Sequence, residues 1–206
     1  MIKDTVNNPE VLMQRTIPDM IKSRSPHAVK TRITHPLYPL TDHPFWPDRE
    51  LMKEEATVVR TDAEQFDPTK KSSIKVHLMG ADTPLLQQMW DNWCSLYGDC
   101  GDATVYYFYM NPEMVYDWHV DTLITTDHTS TKAALCAMNV VVTNEETPAE
   151  FAGLGEMSYT AALFNTSHMH RVVDTRGETR ILARITFRDW IYEEVLHKIK
   201  KINKTL

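Results

Sequence analysis

The hydrophobic positions change period partway along the chain. Between 83 and 97, Leu85, Leu86, Met89, Trp90, Trp93 and Leu96 recur at helical spacing, with Pro84 near the start and Gly98 just past the end. From 103 onward the apolar residues fall into short runs separated by turn formers. These runs predict strands over 103–110, 116–121, 133–143, 150–152, 156–164, 168–173 and 179–188. Beyond about 189, Ile191, Val195, Leu196, Ile199 and Ile202 share one side of a terminal amphipathic helix. Upstream, the pattern predicts a helix over 8–23, with Pro9 in its first turn and Pro18 near its end. Two further strands are predicted over 56–60 and 73–79. Residues 24–49 carry Pro26, Pro36, Pro39, Pro44 and Pro47 among His35, His43, Phe45 and Trp46, which predicts an ordered, irregular arm.

Helices followed by seven or so strands predict an α+β protein with a β-sandwich or barrel core. A jelly roll, two antiparallel sheets enclosing a ligand cavity, fits that run. The 206 residues suit one domain. N-terminal helices, arm and flanking strands occupy 1–102, the β core 103–188, and the last helix 189–206.

Composition narrows the classes. A hydrophobic content of 42% and a charged content of 24% are ordinary for a soluble globular protein. The net charge of −6 argues against a nucleic-acid backbone as the main partner. No apolar run approaches the roughly 20 residues of a membrane span. Met1-Ile2-Lys3-Asp4 opens without the apolar stretch of a signal peptide. The cysteines, Cys94, Cys100 and Cys136, are odd in number and sparse. That fits reduced thiols in the cytoplasm better than a disulfide framework, and no second cysteine pair supports structural zinc.

The candidate chemistry lies in Trp118-His119-Val120-Asp121, taken with His170 and Arg180. In an extended strand, His119 and Asp121 leave the same face. A second imidazole from His170 completes a 2-His-1-carboxylate triad, which holds one side of an octahedral Fe(II) and leaves the other positions open. Arg180 follows His170 by ten residues and offers a fixed cationic fork for a carboxylate. His168 competes with His170 for the distal position, because the two share a strand face. The spacing to Arg180 favours His170, with His168 left to hydrogen-bond a ligand or simply exposed.

The pattern H-x-D…H…R resembles that of the Fe(II)/2-oxoglutarate-dependent oxygenases. Over roughly 103–188 the chain looks like their double-stranded β-helix core. The tail Leu163-Phe164-Asn165-Thr166-Ser167-His168-Met169-His170-Arg171-Val172, followed by Thr179-Arg180-Ile181-Leu182, is similar to compact prolyl-hydroxylase-like and aspartyl/asparaginyl-hydroxylase-like members of bacterial or phage type. The resemblance implies that His119, Asp121 and His170 bind Fe(II) and act in catalysis. It implies 2-oxoglutarate as cosubstrate, its C5 carboxylate paired with Arg180. Arg184, four residues on and on the same face, is a second carboxylate contact or the pairing residue itself. Tyr109 is the expected hydroxyl donor, with Tyr107 as the alternate and Tyr106 left to packing. Asn139, polar in an apolar run, is a candidate cosubstrate contact or a partner for backbone groups. Trp118 and Trp46 are candidates for the substrate entrance, and 35–49 for a lid.

The reaction so implied takes O2, releases succinate and CO2, and hydroxylates a peptidyl residue, amino acid or small metabolite. Halogenation is disfavoured, because Asp121 fills the position a halide would need. Rival readings are a cupin-like jelly-roll binding protein without iron chemistry and a metal enzyme without 2-oxoglutarate. The last helix, with Lys198, Lys200, Lys201 and Lys204, is expected to pack outside the core.

Overall fold

A computed structural model describes residues 35–40, 45–62, 74–98, 103–112, 117–124, 131–133, 136–143, 148–172 and 177–203. All belong to one compact unit, His35–Leu206. The helix expected over 8–23 lies outside the described residues, as do Cys100 and residues 125–130.

Among the described residues, three helices pack on one face of a six-stranded antiparallel sheet. The first, α1 (Arg49–Asp62), corrects the strand expected over 56–60. Asp48 starts it, its Oδ1 accepting from the backbone N–H of Glu50 and Leu51 at 2.9 and 3.1 Å. Met52, Ala56 and Val59 then fall on one buried side, spaced four and three apart. That stripe and the cap outweigh the strand preference of Thr57-Val58-Val59. Thr57 Oγ1 donates to the Lys53 carbonyl one turn back, and Val58 faces solvent.

Helix α2 (Pro84–Tyr97) begins at the predicted proline and ends at Gly98, whose φ of 74° suits glycine. Leu86, Met89, Trp93 and Tyr97 are its buried side. Glu55 of α1 accepts from the Leu85 N–H at 2.8 Å, tying the start of α2 to α1. Helix α3 (Tyr192–Ile202) buries Tyr192, Val195 and Ile199, and the Glu194 carboxylate accepts from the N–H of Ile191.

The strands are β1 (Leu37–Pro39), β2 (Ile74–Leu78), β3 (Ala103–Met110), β4 (Thr122–Ile124), β5 (Thr131–Ala133), β6 (Cys136–Thr143), β7 (Ala149–Phe151), β8 (Gly155–Met157), β9 (Ala161–Phe164), β10 (His170–Val172) and β11 (Arg180–Phe187). The large sheet runs β1-β9-β6-β11-β3-β2. A three-stranded sheet runs β10-β7-β8, and β4 pairs with β5. The run expected over 156–164 is two strands, β8 and β9; of that expected over 116–121, the described residues 117–121 hold one bridge pair, His119 with His170.

Strand β11 is central and buried throughout. Its alternation separates two environments. Ile181, Ala183, Ile185 and Phe187 join Val105, Tyr107, Tyr109, Met138 and Val140 in the core under the helices. Leu182 joins Val141, Ala162 and Phe164 on the other face, against Ala149 and Phe151 of the small sheet. Two packed antiparallel sheets with helices on the outside make a mixed α and β protein.

Trp93 is the largest fully buried side chain, in ring contact with Phe45, Tyr97 and Phe187 at 5.7, 4.1 and 5.4 Å. Trp93→Ala should cost about 3–5 kcal/mol, read as a lower urea midpoint. A loss below about 1 kcal/mol would show that helix and sheet are not packed as described. Phe45 and Trp46 lie in the same core, on the helix side of the sheet. This corrects the placing of Trp46 at an entrance; of the arm expected over 35–49 as a lid, Leu37–Pro39 form the edge strand β1, paired with β9, and 41–44 lie outside the described residues.

Candidate metal centre

His119, on the segment just before β4, forms a bridge pair with His170 at the start of β10. Each donates its backbone N–H to the other's carbonyl at 2.9 Å. That places both imidazoles together, with ring centroids 4.5 Å apart. Asp121 follows two residues on, its N–H donating to the Thr166 carbonyl at 3.1 Å. Asp121 Oδ1 lies 3.4 Å from His119 Nε2 and 3.3 Å from His170 Nε2. Candidate ligand atoms of the three side chains all fall within 4.8 Å of one another. Among the described residues no other trio of histidine, cysteine or carboxylate side chains converges this way.

The imidazoles are oriented by main chain. His119 Nδ1 faces the Asp117 carbonyl at 2.7 Å, and His170 Nδ1 faces the His168 carbonyl at 2.8 Å. A carbonyl only accepts, so Nδ1 carries the proton in both rings, and Nε2 of a neutral ring keeps its lone pair toward Asp121. A carbonyl behind a ligating histidine is the usual support in metal sites. Two imidazole nitrogens and one carboxylate oxygen suit Fe(II) or another divalent first-row ion, so the donor set fits the implied metal.

His168 turns away, its Nε2 donating to the Ala152 carbonyl at 3.1 Å. Its carbonyl, not its ring, supports His170.

Arg184 donates through Nη2 to Asp121 Oδ2 in a short ion pair. Burial opposes charge on Asp121, but the Arg184 guanidinium, joined by the two imidazoles wherever Nε2 also carries a proton, outweighs it and holds the carboxyl well below the usual carboxylate range. Burial likewise opposes charge on Arg184, and the Asp121 carboxylate outweighs it, raising the guanidinium. Arg184 is therefore committed to the aspartate, where a direct cosubstrate contact was expected.

Arg180, only 1% exposed, lines the same cavity. Its Nε and Nη2 are buried without hydrogen-bond partners, and its guanidinium carbon sits 5.4 Å from the centre of the Tyr159 ring. Asn139, opposite Arg184 in register, donates to the Tyr159 hydroxyl at 3.3 Å and leaves its Oδ1 unpartnered. Phe108, Met110, Phe164 and Leu182 supply apolar wall.

Tyr109 and Tyr107 are not at the site. In register, Arg180 stands opposite Met110 and Arg184 opposite Tyr106, so the even-numbered residues of β3 share the arginine face. Tyr109 donates to the Ala56 carbonyl at 2.8 Å and Tyr107 to Glu55 at 2.7 Å, both beneath the helices. Tyr106, expected only to pack against its neighbours, faces the site side, with its hydroxyl 2.9 Å from Thr186 Oγ1. Sequence reasoning missed Tyr159, which stood inside the run expected over 156–164 with no spacing to mark it. Trp118 lies beside the triad, partly exposed, with the Arg171 guanidinium 4.7 Å from its ring centre.

Tyr109→Phe should leave any 2-oxoglutarate affinity unchanged and lower stability by about 0.5–1.5 kcal/mol, the worth of one buried hydrogen bond. Cosubstrate titration and denaturant unfolding of the same variant check both parts. A tenfold loss of affinity would overturn the placement.

No family model and no curated protein matches the sequence. Solved structures do. A prolyl hydroxylase from Trichoplax adhaerens, in complex with a hypoxia inducible factor oxygen degradation domain peptide, aligns at a TM-score of 0.52 with 9% identity, over 74% of this chain and 82% of that one. A Pseudomonas putida prolyl-4-hydroxylase aligns at 0.47 with 13% identity, over 74% and 90%. The viral collagen prolyl hydroxylase of Paramecium Bursaria Chlorella virus-1, in its 2-oxoglutarate complex, aligns at 0.45 with 14% identity, over 70% and 96%. At such identity the likeness concerns the fold. In fold, the chain is similar to the Trichoplax prolyl hydroxylase.

Proposed function

We propose that this protein is an Fe(II)- and 2-oxoglutarate-dependent dioxygenase that hydroxylates a substrate C–H bond with release of succinate and CO2. One observation carries the reading: two backbone-oriented Nε2 atoms and one carboxylate oxygen converge in a cavity that also holds the unsatisfied guanidinium of Arg180. A fixed, buried cation beside a facial triad suits a dicarboxylate cosubstrate and has no role in metal binding alone. The packed antiparallel sheets support the finer reading of the core as a double-stranded β-helix, or jelly roll.

The roles follow from position. His119, Asp121 and His170 hold Fe(II). Arg180 pairs with the C5 carboxylate of 2-oxoglutarate, and Asn139 and Tyr159 border that contact. Bound iron and cosubstrate supply the oxygen-activating chemistry. The chain orients the rings through the Asp117 and His168 carbonyls and keeps Nδ1 protonated. Phe108, Met110, Phe164 and Leu182 exclude water around the reacting groups. The substrate is a peptidyl residue, an amino acid or a small metabolite. Three sparse cysteines, odd in number, support a cytoplasmic setting. Among the described residues no helix is long and apolar enough to cross a membrane.

The test is a visible spectrum of anaerobic protein with Fe(II) and 2-oxoglutarate. A weak charge-transfer band that needs both additions is the expected result. No band, from folded protein at saturating concentrations, overturns the reading.

A further inference from the structure

The two oxygens of Asp121 have different neighbours. Oδ1 faces both imidazoles, 3.4 and 3.3 Å from their Nε2 atoms, while Oδ2 is taken by the Arg184 guanidinium. We infer that Arg184 is a positioning residue that restricts Asp121 to a single metal bond, reserving three coordination positions for cosubstrate and O2. The inference rests on the proposed metal centre and goes beyond it, because a facial triad does not dictate how many carboxylate oxygens bind.

The physical case begins with the carboxylate. A side chain offering two oxygens to a divalent ion takes up one position or two, and nothing in its covalent structure decides which. An added donor on one oxygen decides it: a bidentate carboxylate would have to give up a charge-assisted hydrogen bond inside a largely buried site. Arg184 is well held for this task. It lies on the central strand β11, flanked by β3 and β6, and its guanidinium carbon sits 5.9 Å from the centre of the Phe108 ring. A guanidinium keeps its charge under all ordinary conditions, and planarity fixes its direction. The same contact explains why Arg180 and Arg184, on one strand face, differ. Arg184 spends Nη2 on Asp121 and leaves only Nε unpartnered, whereas Arg180 leaves both Nε and Nη2 unpartnered in the cavity.

The test counts waters. Mn(II) replaces Fe(II) in protein without cosubstrate, and water-proton relaxation reports the exchangeable waters on the ion. Three single bonds from the protein leave three waters on an octahedral ion. Arg184→Met frees Oδ2 to bind, so the count drops to two and the bound-ion relaxivity falls by about one third. Circular dichroism establishes that the variant folds, and Mn(II) titration that the ion is bound. Three waters in the wild type and two in the variant is the expected result. Two waters in the wild type overturns the inference, and that measurement decides even if the variant does not fold. An unchanged count in a folded variant overturns it as well. So does loss of Mn(II) from a folded variant, since Arg184 would then sustain binding and not restrict it. Failure of the metal-centre reading looks different: the wild type itself does not bind Mn(II).

Discussion

In the His170→Ala variant, anaerobic addition of Fe(II) and 2-oxoglutarate leaves the visible region flat, and Mn(II) affinity falls by more than about 100-fold. Altering a group that merely orients a metal ligand costs roughly 10–100-fold in affinity, so deleting the ligand should cost more. His170 is the most informative of the three to remove. It is buried, and its ring packs 4.8 Å from Phe164 and 6.0 Å from Phe151, so nearby chain cannot readily supply a substitute. His168→Ala is the matched control. It deletes the ring that donates to Ala152 but keeps the backbone carbonyl that orients His170. The control should retain the band. A band that survives in His170→Ala and disappears in His168→Ala would transfer the distal position to His168 and undo the site as described.

That control also shows where sequence reasoning stops. His168 and His170 have the same parity, so strand periodicity could not separate them. The separation comes from a turn at Asn165–His168 and the pairing of His170 with His119, both tertiary. Tyr107 and Tyr109 show the same limit. Their shared face was legible, but which side of the sheet it met depended on the register of β3 against β11. One step of register exchanges the two faces, and no local signal sets it. The segment 56–60 went wrong for another reason. Thr57, Val58 and Val59 favour a strand locally, and the winning stripe of Met52, Ala56 and Val59 emerges only in a window reaching back to Asp48. Helix α2 was readable because proline, glycine and a long apolar stripe agreed. Arg184 could be assigned a face but not a partner. Its bond to Asp121 spans 63 residues of sequence and exists only once β11 is central in the sheet.

Arg180→Met should stabilise the cosubstrate-free protein, or leave it unchanged, while removing its response to 2-oxoglutarate. Two guanidinium nitrogens buried without partners carry a desolvation cost that nothing in the free protein offsets beyond the Tyr159 ring. Methionine fills much of the same space without charge, and such replacements of buried ions are often neutral or stabilising. The loss appears when ligand is added. Two charge-assisted bonds to a carboxylate are together worth about 3 kcal/mol or more, roughly two orders of magnitude in affinity. Wild-type protein loaded with Mn(II), at a 2-oxoglutarate concentration 100 times its Kd, gains about 2.7 kcal/mol of stability from mass action. The variant, at that concentration and with Mn(II) bound, should gain less than about 0.5 kcal/mol. Thermal unfolding with and without 2-oxoglutarate reads both effects in one experiment. A variant that loses stability without ligand yet keeps the full response would make Arg180 a packing residue. A variant that loses Mn(II) along with 2-oxoglutarate would show that Arg180 supports the triad. Only the opposed pair, undiminished free stability with the ligand response gone, fits a cation kept unpaired for a dicarboxylate.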